Sequence, residues 1–359
     1  MIENHRIGQD KSPLRVNPTV AVVGLGYWGP NLVRVLIERT DVELRWICDT
    51  DVSRLERLGR RYPSVQLTQD LDDILDDPDL DGVLLATPVF THYKLARRCL
   101  AAGKHTFVEK PLAPSTALAE ELIALSEERG LSLMCGHTFL YSPPVRAVRE
   151  LIDSGELGKL YFVSTSRVNL GVHQRDVSVI WDLGPHDFSI LLYWLRRAPK
   201  TIRATGRDSI VPGIADVAFV TMEFGSGLIA SVELSWLAPS KLRRTVIVGS
   251  KRMVVYEDGS AEAIKIYDRG VDYKDPETFG EYQLSYRSGD ILAPKLSTEE
   301  PLALQTADFV QSIRVRGRTL YDLSLARDVV RLAEAAHTSL ARGGEPVALG
   351  GETLISQVA

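Results

Sequence analysis

Gly24-Leu25-Gly26-Tyr27-Trp28-Gly29 stands between the apolar run Val20-Ala21-Val22-Val23 and the segment Asn31 to Ile37, whose apolar residues recur at helical spacing. A glycine loop between strand and helix suits the pyrophosphate of a dinucleotide. The first glycine permits a tight turn, the second lets backbone approach the phosphates, and the third lets helix pack close to strand. Peptide N–H groups at the new helix N-terminus then face the anion. Gly24, Gly26 and Gly29, with Tyr27 and Trp28 between them, are the candidate cofactor-binding residues. The next apolar run, Glu43 to Cys48, ends in Asp49, where a carboxylate would meet the adenosine ribose. Asp49 predicts NAD as cofactor, with NADP left possible because Arg54 and Arg57 follow closely.

Working outward, strands are expected at 19–23, 43–48, 65–67, 82–86, 105–108 and 132–135, and helices near 28–38, 52–61, 70–76, 91–102 and 116–129. Short apolar runs separated by amphipathic segments read as an α/β unit, a doubly wound parallel sheet. After a helix from near Pro144 to Gly155, alternating or β-branched runs follow one another: 160–168, 201–207, 215–224, 227–236, 241–249, 253–257 and 263–267. They predict a C-terminal α+β domain with a large, mostly antiparallel open sheet. One helix, beginning near Pro185 and running through Trp194, interrupts them; 268–300 reads as a long loop, and helices near 301–316 and 322–341 close the chain. The expected organisation is a disordered leader at 1–18, a dinucleotide-binding domain at 19–141 and a substrate-binding and oligomerisation domain at 142–359.

The net charge of −5 argues against a nucleic-acid partner. No apolar run is long enough to span a bilayer, and the polar leader lacks the apolar core of a secretory signal. Cys48, Cys99 and Cys135 are odd in number and sit in expected strands and helices, which reads as buried, reduced thiols in a cytoplasmic protein. No Cys/His spacing resembles a metal site, and no metal is expected.

The chemistry-bearing residues fall at strand ends or in the second domain. Thr87-Pro88 ends the fourth strand, His92 opens the next helix, and the fifth strand ends in Glu109-Lys110-Pro111; Thr87, Pro88, His92, Glu109 and Lys110 join the glycine loop and Asp49 as candidate cofactor-binding residues. Lys110 would lie near the nicotinamide end of a bound dinucleotide, although residue type alone also fits a solvated lysine. In Trp181-Asp182-Leu183-Gly184-Pro185-His186-Asp187, Pro185 suits the first position of a helix. His186 would then occupy a first turn, where the helix dipole keeps imidazole neutral and ready to accept a proton. Asp182 would orient its ring. The same acids also read as helix caps around a structural histidine.

Across Val20 to about Val347 the chain resembles the glucose–fructose oxidoreductase / inositol dehydrogenase (Gfo/Idh/MocA) family. The resemblance rests on Gly24–Gly29, Thr87-Pro88 with His92, Ala101 to His105 leading into Glu109-Lys110-Pro111, and Asp182 four residues before His186. It implies a Rossmann N-terminal domain, Lys110 holding the reacting oxygen, His186 as general acid/base and Asp182 as its partner. Many members carry an Asp three residues after this histidine, where this chain has Ser189. Gly136 to Tyr141, Arg167 to Gly171 and Ser324 to Leu340 look like a nucleotide-sugar subgroup, whose members act on a sugar carbon, often C3. By that resemblance His137, Tyr141, Arg167, Asn169 and Arg175 are candidate substrate contacts, the arginines for a diphosphate.

The expected function is hydride transfer between a sugar hydroxyl carbon and nicotinamide. Alternatives are a ketosugar reductase of antibiotic or deoxysugar synthesis, an NAD-dependent glycoside hydrolase, and a cofactor-bound sensor without turnover. A homodimer or homotetramer is expected through the C-terminal sheet, whose strands offer Val217, Phe219 and Trp236 to an uncovered face.

Overall fold

Valine and leucine runs buried on both faces define the first sheet: β1 (Thr19–Val23), β2 (Glu43–Cys48), β3 (Gln66–Thr68), β4 (Gly82–Leu85), β5 (His105–Glu109) and β6 (Leu133–Gly136). In this computed structural model, which describes residues 17–171, 173, 177–273, 284–315, 317, 319 and 323–350, the six strands are parallel. Their order is β3-β2-β1-β4-β5-β6. Between them lie α1 (Gly29–Ile37), α2 (Val52–Arg61), α3 (Leu71–Leu75), α4 (Val89–Ala101) and α5 (Thr116–Arg129). Helices on both faces explain why β1, β4 and β5 carry no polar alternation. Strand order reverses between β1 and β4, and a ligand crevice opens beyond the C-terminal ends of strands at such a reversal.

The second domain follows with α6 (Pro143–Asp153), β7 (Leu160–Leu170), α7 (Val179–Leu195), β8 (Thr201–Arg207), β9 (Val217–Glu223), β10 (Ile229–Ser235), β11 (Leu237–Gly249), β12 (Met253–Glu257), β13 (Ile264–Tyr273) and β14 (Leu284–Leu292). Then come α8 (Pro301–Val315), α9 (Leu323–Ala341) and the short β15 (Val347–Ala348). The nine strands are ordered β14-β13-β12-β11-β7-β10-β9-β8-β15, parallel at β7–β10 and antiparallel at the other pairs. α6, α7 and α9 pack against this sheet. Phe162, Phe219 and Ile229 remain exposed, Phe162 and Ile229 being direct cross-strand partners. α8 returns to pack on α1, and α9 on α5, where Ala326 and Val330 join the apolar cluster of Leu85 and Ala96. No helix among the described residues is long and apolar enough to cross a membrane.

Four expectations change. The stretch 268–300 holds the end of β13 and all of β14, rather than one loop. This hairpin extends past the covering helices, so β14 is mostly exposed and shows no apolar alternation to read. α7 starts at Val179, so Pro185 lies inside the helix and not at its first position. Trp236 points into the core at 1% exposure, because it follows β10 at the turn into β11 and packs beneath the sheet. The short β15 carries too little sequence to announce itself. The expected leader falls largely on residues 1–16, outside the described residues; Pro18 O already accepts from Glu43 N. Cys48, Cys99 and Cys135 are buried free thiols, as expected.

The third glycine of the loop gives a direct test of the strand–helix fit. A Cβ on Gly29 would overlap Gly24 O. Gly29→Ala should destabilise the protein by about 1–3 kcal/mol, the usual cost of overpacking, and weaken dinucleotide binding. Thermal unfolding with and without NAD measures both effects.

Candidate active site

The glycine loop turns at the C-terminal end of β1 because Gly24 adopts φ +90, and a Cβ there would lie 2.6 Å from Ala86 O. Gly26 faces open space, with the Arg54 guanidinium nearest at 4.0 Å from an added Cβ. α1 begins without a side-chain cap and without an acid in its first turn, and Tyr27 is exposed at its entrance. Free N–H groups, an unopposed helix dipole and room at Gly26 fit a pyrophosphate. Asp49 closes the loop from below: Oδ2 accepts from Leu25 N at 2.6 Å and Oδ1 from Asp51 N at 2.8 Å. Arg54 Nη1 lies 3.5 Å from Asp49 Oδ2. The carboxylate thus braces the loop.

Lys110 crosses from the first domain to the second. Its Nζ donates to Asp182 O at 2.7 Å and to Asp182 Oδ1 at 3.3 Å. Pro185 has no N–H to give to the Trp181 carbonyl four residues back, so α7 lacks one backbone hydrogen bond beside Asp182. Trp236 Nε1 donates to Asp182 Oδ2 at 3.1 Å. Asp182 therefore orients Lys110, not the His186 ring: both its oxygens are engaged elsewhere. Trp236 was invisible as a site residue in the sequence, since only the β10–β11 turn brings it there.

His186 lies in the second turn of α7, so the helix-dipole argument for its neutrality fails; burial replaces it. Its pKa is held well below the ordinary histidine value by burial first, then by Lys110, Arg167 and Arg243. Asp187, the next residue, is turned away from the ring. It accepts from Thr165 Oγ1 at 2.9 Å and from Arg167 Nε at 2.5 Å. Phe139 stacks edge-on to His186 at 5.1 Å, with the Arg167 guanidinium 4.6 Å from its ring centroid. Ser189 Oγ donates to His186 O and supplies no carboxylate.

Other candidates fall into distinct places. His137 is buried beside Lys110 with both ring nitrogens unpartnered, and burial pushes its pKa down to about 3. Asn169 keeps a buried, unpartnered Oδ1 near Trp236. Arg167 is spent on a buried ion pair with Asp187, which corrects its expected role on a diphosphate: desolvating such a pair to recruit an anion is costly. Tyr141 is core, donating its hydroxyl to Asp308 at 2.5 Å, and this replaces the expected sugar contact. Arg175 lies outside the described residues. His92 is buried between two carbonyls, Nδ1 2.8 Å from Pro111 O and Nε2 2.8 Å from Thr87 O. It ties the Thr87-Pro88 loop to the loop after Lys110 and has no ring nitrogen left for a cofactor. Glu109 is buried against Gly136, accepts weakly from Lys110 N at 3.3 Å, and leaves Oε1 unpartnered. Among the described residues, no group of three or more His, Cys, Asp or Glu is arranged to hold a metal.

A dinucleotide cradle facing a lysine and a neutral histidine defines an NAD(P)-dependent oxidoreductase acting on CH–OH groups. The chain belongs to the Gfo/Idh/MocA oxidoreductase family. Residues 19–137 match the model described as "Oxidoreductase family, NAD-binding Rossmann fold", and residues 145–255 match the GFO/IDH/MocA C-terminal domain. The scyllo-inositol 2-dehydrogenase (NAD(+)) of Bacillus subtilis (strain 168) is 30% identical over 234 residues, 61% of this chain and 67% of that protein. The uncharacterized oxidoreductase YrbE of the same organism is 24% identical over 330 residues, 89% of this chain and 86% of its own length. GenD2 from gentamicin A biosynthesis, solved in complex with NAD, superposes with a TM-score of 0.80 at 26% identity, covering 96% of this chain and 100% of that one.

Two predictions follow from the site's charges. Asp49→Ser should narrow the preference for NAD over NADP, since Arg54 stays to meet a 2′-phosphate; calorimetric titration with both cofactors measures it. Burial raises the Glu109 carboxyl from 4.5 to about 7, with Lys110 pulling the other way. Between those values the folded chain holds a proton that the unfolded chain releases, so this group's contribution falls as pH rises. Glu109→Gln should therefore gain stability relative to the parent from about pH 5 to 8, by up to about 3 kcal/mol, in denaturant unfolding at both pH values.

Proposed function

We propose that this protein moves a hydride between a hydroxyl-bearing carbon of a sugar, C3 of a nucleotide-linked hexose or aminosugar, and the nicotinamide of NAD. The observation that carries the reading is the meeting of Lys110 from one domain with His186 and Asp182 from the other, beyond the glycine cradle. Sugar chemistry is supported by the family relatives, one named for inositol oxidation and one for an aminoglycoside pathway.

NAD supplies the hydride acceptor. The chain's own residues handle the oxygen and the proton. Lys110 has three N–H donors, of which Asp182 takes two, leaving one for the substrate oxygen. That ammonium stabilises negative charge developing on the oxygen as the C–H bond breaks, where water is largely excluded. His186, neutral and next to Lys110, accepts the hydroxyl proton. Trp236 fixes Asp182, and Asp182 fixes Lys110, so the donor is aimed before substrate arrives. Run backwards, the same residues reduce a ketosugar.

We further propose that a second copy covers the exposed Phe162, Phe219 and Ile229 face. Phe219→Glu should then lower the mass seen in sedimentation; an unchanged mass points to another interface.

His186→Asn should lower kcat/KM for sugar oxidation by about 10²–10⁴, the usual worth of a positioned acid/base. Because the imidazole pKa is depressed, the parent should keep its rate as pH falls through the ordinary histidine range, losing it only below that range. Lys110→Ala should abolish turnover while binding NAD nearly as the parent does. A parent profile that breaks near the ordinary histidine pKa, or a His186→Asn enzyme of parental rate, would falsify this assignment of the proton.

A further inference from the structure

A cavity of about 810 Å³ lies between the domains, lined by residues of both and apart from the glycine cradle. That volume is in the range of sites for whole small molecules rather than single ions. Phe90 and Trp181 line it, along with Ser178, Arg331, Glu334 and His337. Trp181 is the chain neighbour of Asp182, which holds Lys110.

Its walls are built for an anion. α4 and α7, of 13 and 17 residues, both begin at this cavity, and neither has a side-chain cap. α4 has no acid in its first turn, and the one acid in the first turn of α7, Asp182, is occupied by Lys110. Val179 N at the start of α7 is already given to Ala215 O, so the open helix end in this space is that of α4. Ser178 is buried to 7% exposure, yet its Oγ has no hydrogen-bond partner. A buried hydroxyl without a partner is costly unless a ligand completes it. Arg331 and His337, on successive turns of α9, form no ion pair or hydrogen bond among the described residues. Among the described residues the one carboxylate lining this space, Glu334, is already engaged, its Oε2 accepting from Thr116 N at 3.0 Å and from Thr116 Oγ1.

We infer that this cavity binds the nucleoside diphosphate portion of the substrate, the phosphates on Arg331, Ser178 and the α4 N-terminus, the base against Phe90 and Trp181. Phe90 is 66% exposed and offers an open aromatic face for a ring to stack on. Guanidinium forks and peptide N–H groups converging from several directions match a phosphate's oxygens better than a planar carboxylate. The inference deepens the sugar-nucleotide reading above and rests on it for the identity of the attached sugar. It also relocates the diphosphate from Arg167, which is committed to Asp187, to Arg331, a cation with no partner among the described residues.

The test titrates UDP, UMP and inorganic phosphate into NAD-saturated protein by calorimetry, saturation keeping the probes out of the cofactor site. UDP should bind, more tightly than UMP and about tenfold or more tightly than phosphate. Arg331→Gln should weaken UDP by about tenfold or more with NAD affinity unchanged, and Phe90→Ala should weaken UDP but not phosphate. Ser178→Ala should act as a milder Arg331→Gln. Absence of UDP binding in the NAD-loaded protein, or parental UDP affinity in Arg331→Gln, overturns the inference. Phosphate binding as tightly as UDP overturns the nucleoside part. The two readings fail separately. Reduced-cofactor formation on unphosphorylated sugars without UDP binding sinks this inference alone. UDP binding as described, with no cofactor reduction on any sugar or sugar nucleotide supplied, sinks the dehydrogenase reading alone.

Discussion

The contact on which the site depends is the Lys110 ammonium against Asp182. A lysine head group at the dry junction of two domains must be given acceptors, because an unpaired buried charge is strongly disfavoured. The second domain gives it two, the Asp182 carbonyl and carboxylate. The carboxylate is steady because Trp236 holds its other oxygen. The same contact fastens the domains together at the place where chemistry would occur.

Charge balance around it is uneven. Lys110, Arg167 and Arg243 all act on His186, while Asp187 is withdrawn into a pair with Arg167 and Asp182 into its pair with Lys110. The histidine is left neutral among cations. A positive pocket that keeps its base uncharged suits a reaction in which negative charge builds on an oxygen. His92 contributes without touching the reacting atoms, since it ties together the two loops that carry Thr87 and Lys110.

The glycine loop, the parallel strands and the lysine motif could be read from the chain because each is a local pattern: apolar runs buried on both faces, glycines at forced turns, and a motif in fixed order. α2, α5 and the strands at 19–23, 43–48 and 201–207 lie where periodicity puts them. The β13–β14 hairpin escaped because an exposed edge ribbon has no buried face to impose alternation. The start of α7 escaped because proline is common at a helix start and only packing tolerates it inside.

Sequence alone determined the family, the dinucleotide cradle and the identities of Lys110, Asp182 and His186, since these depend on residue types at short spacing. Only the tertiary structure decided which of them pair. It turned Asp182 from His186 to Lys110, assigned Arg167 to Asp187 and Tyr141 to Asp308, and brought Trp236 in from a distant strand turn. Such pairings answer to desolvation: each buried polar atom takes whichever partner the fold brings within reach, and reach is not a property of spacing along the chain.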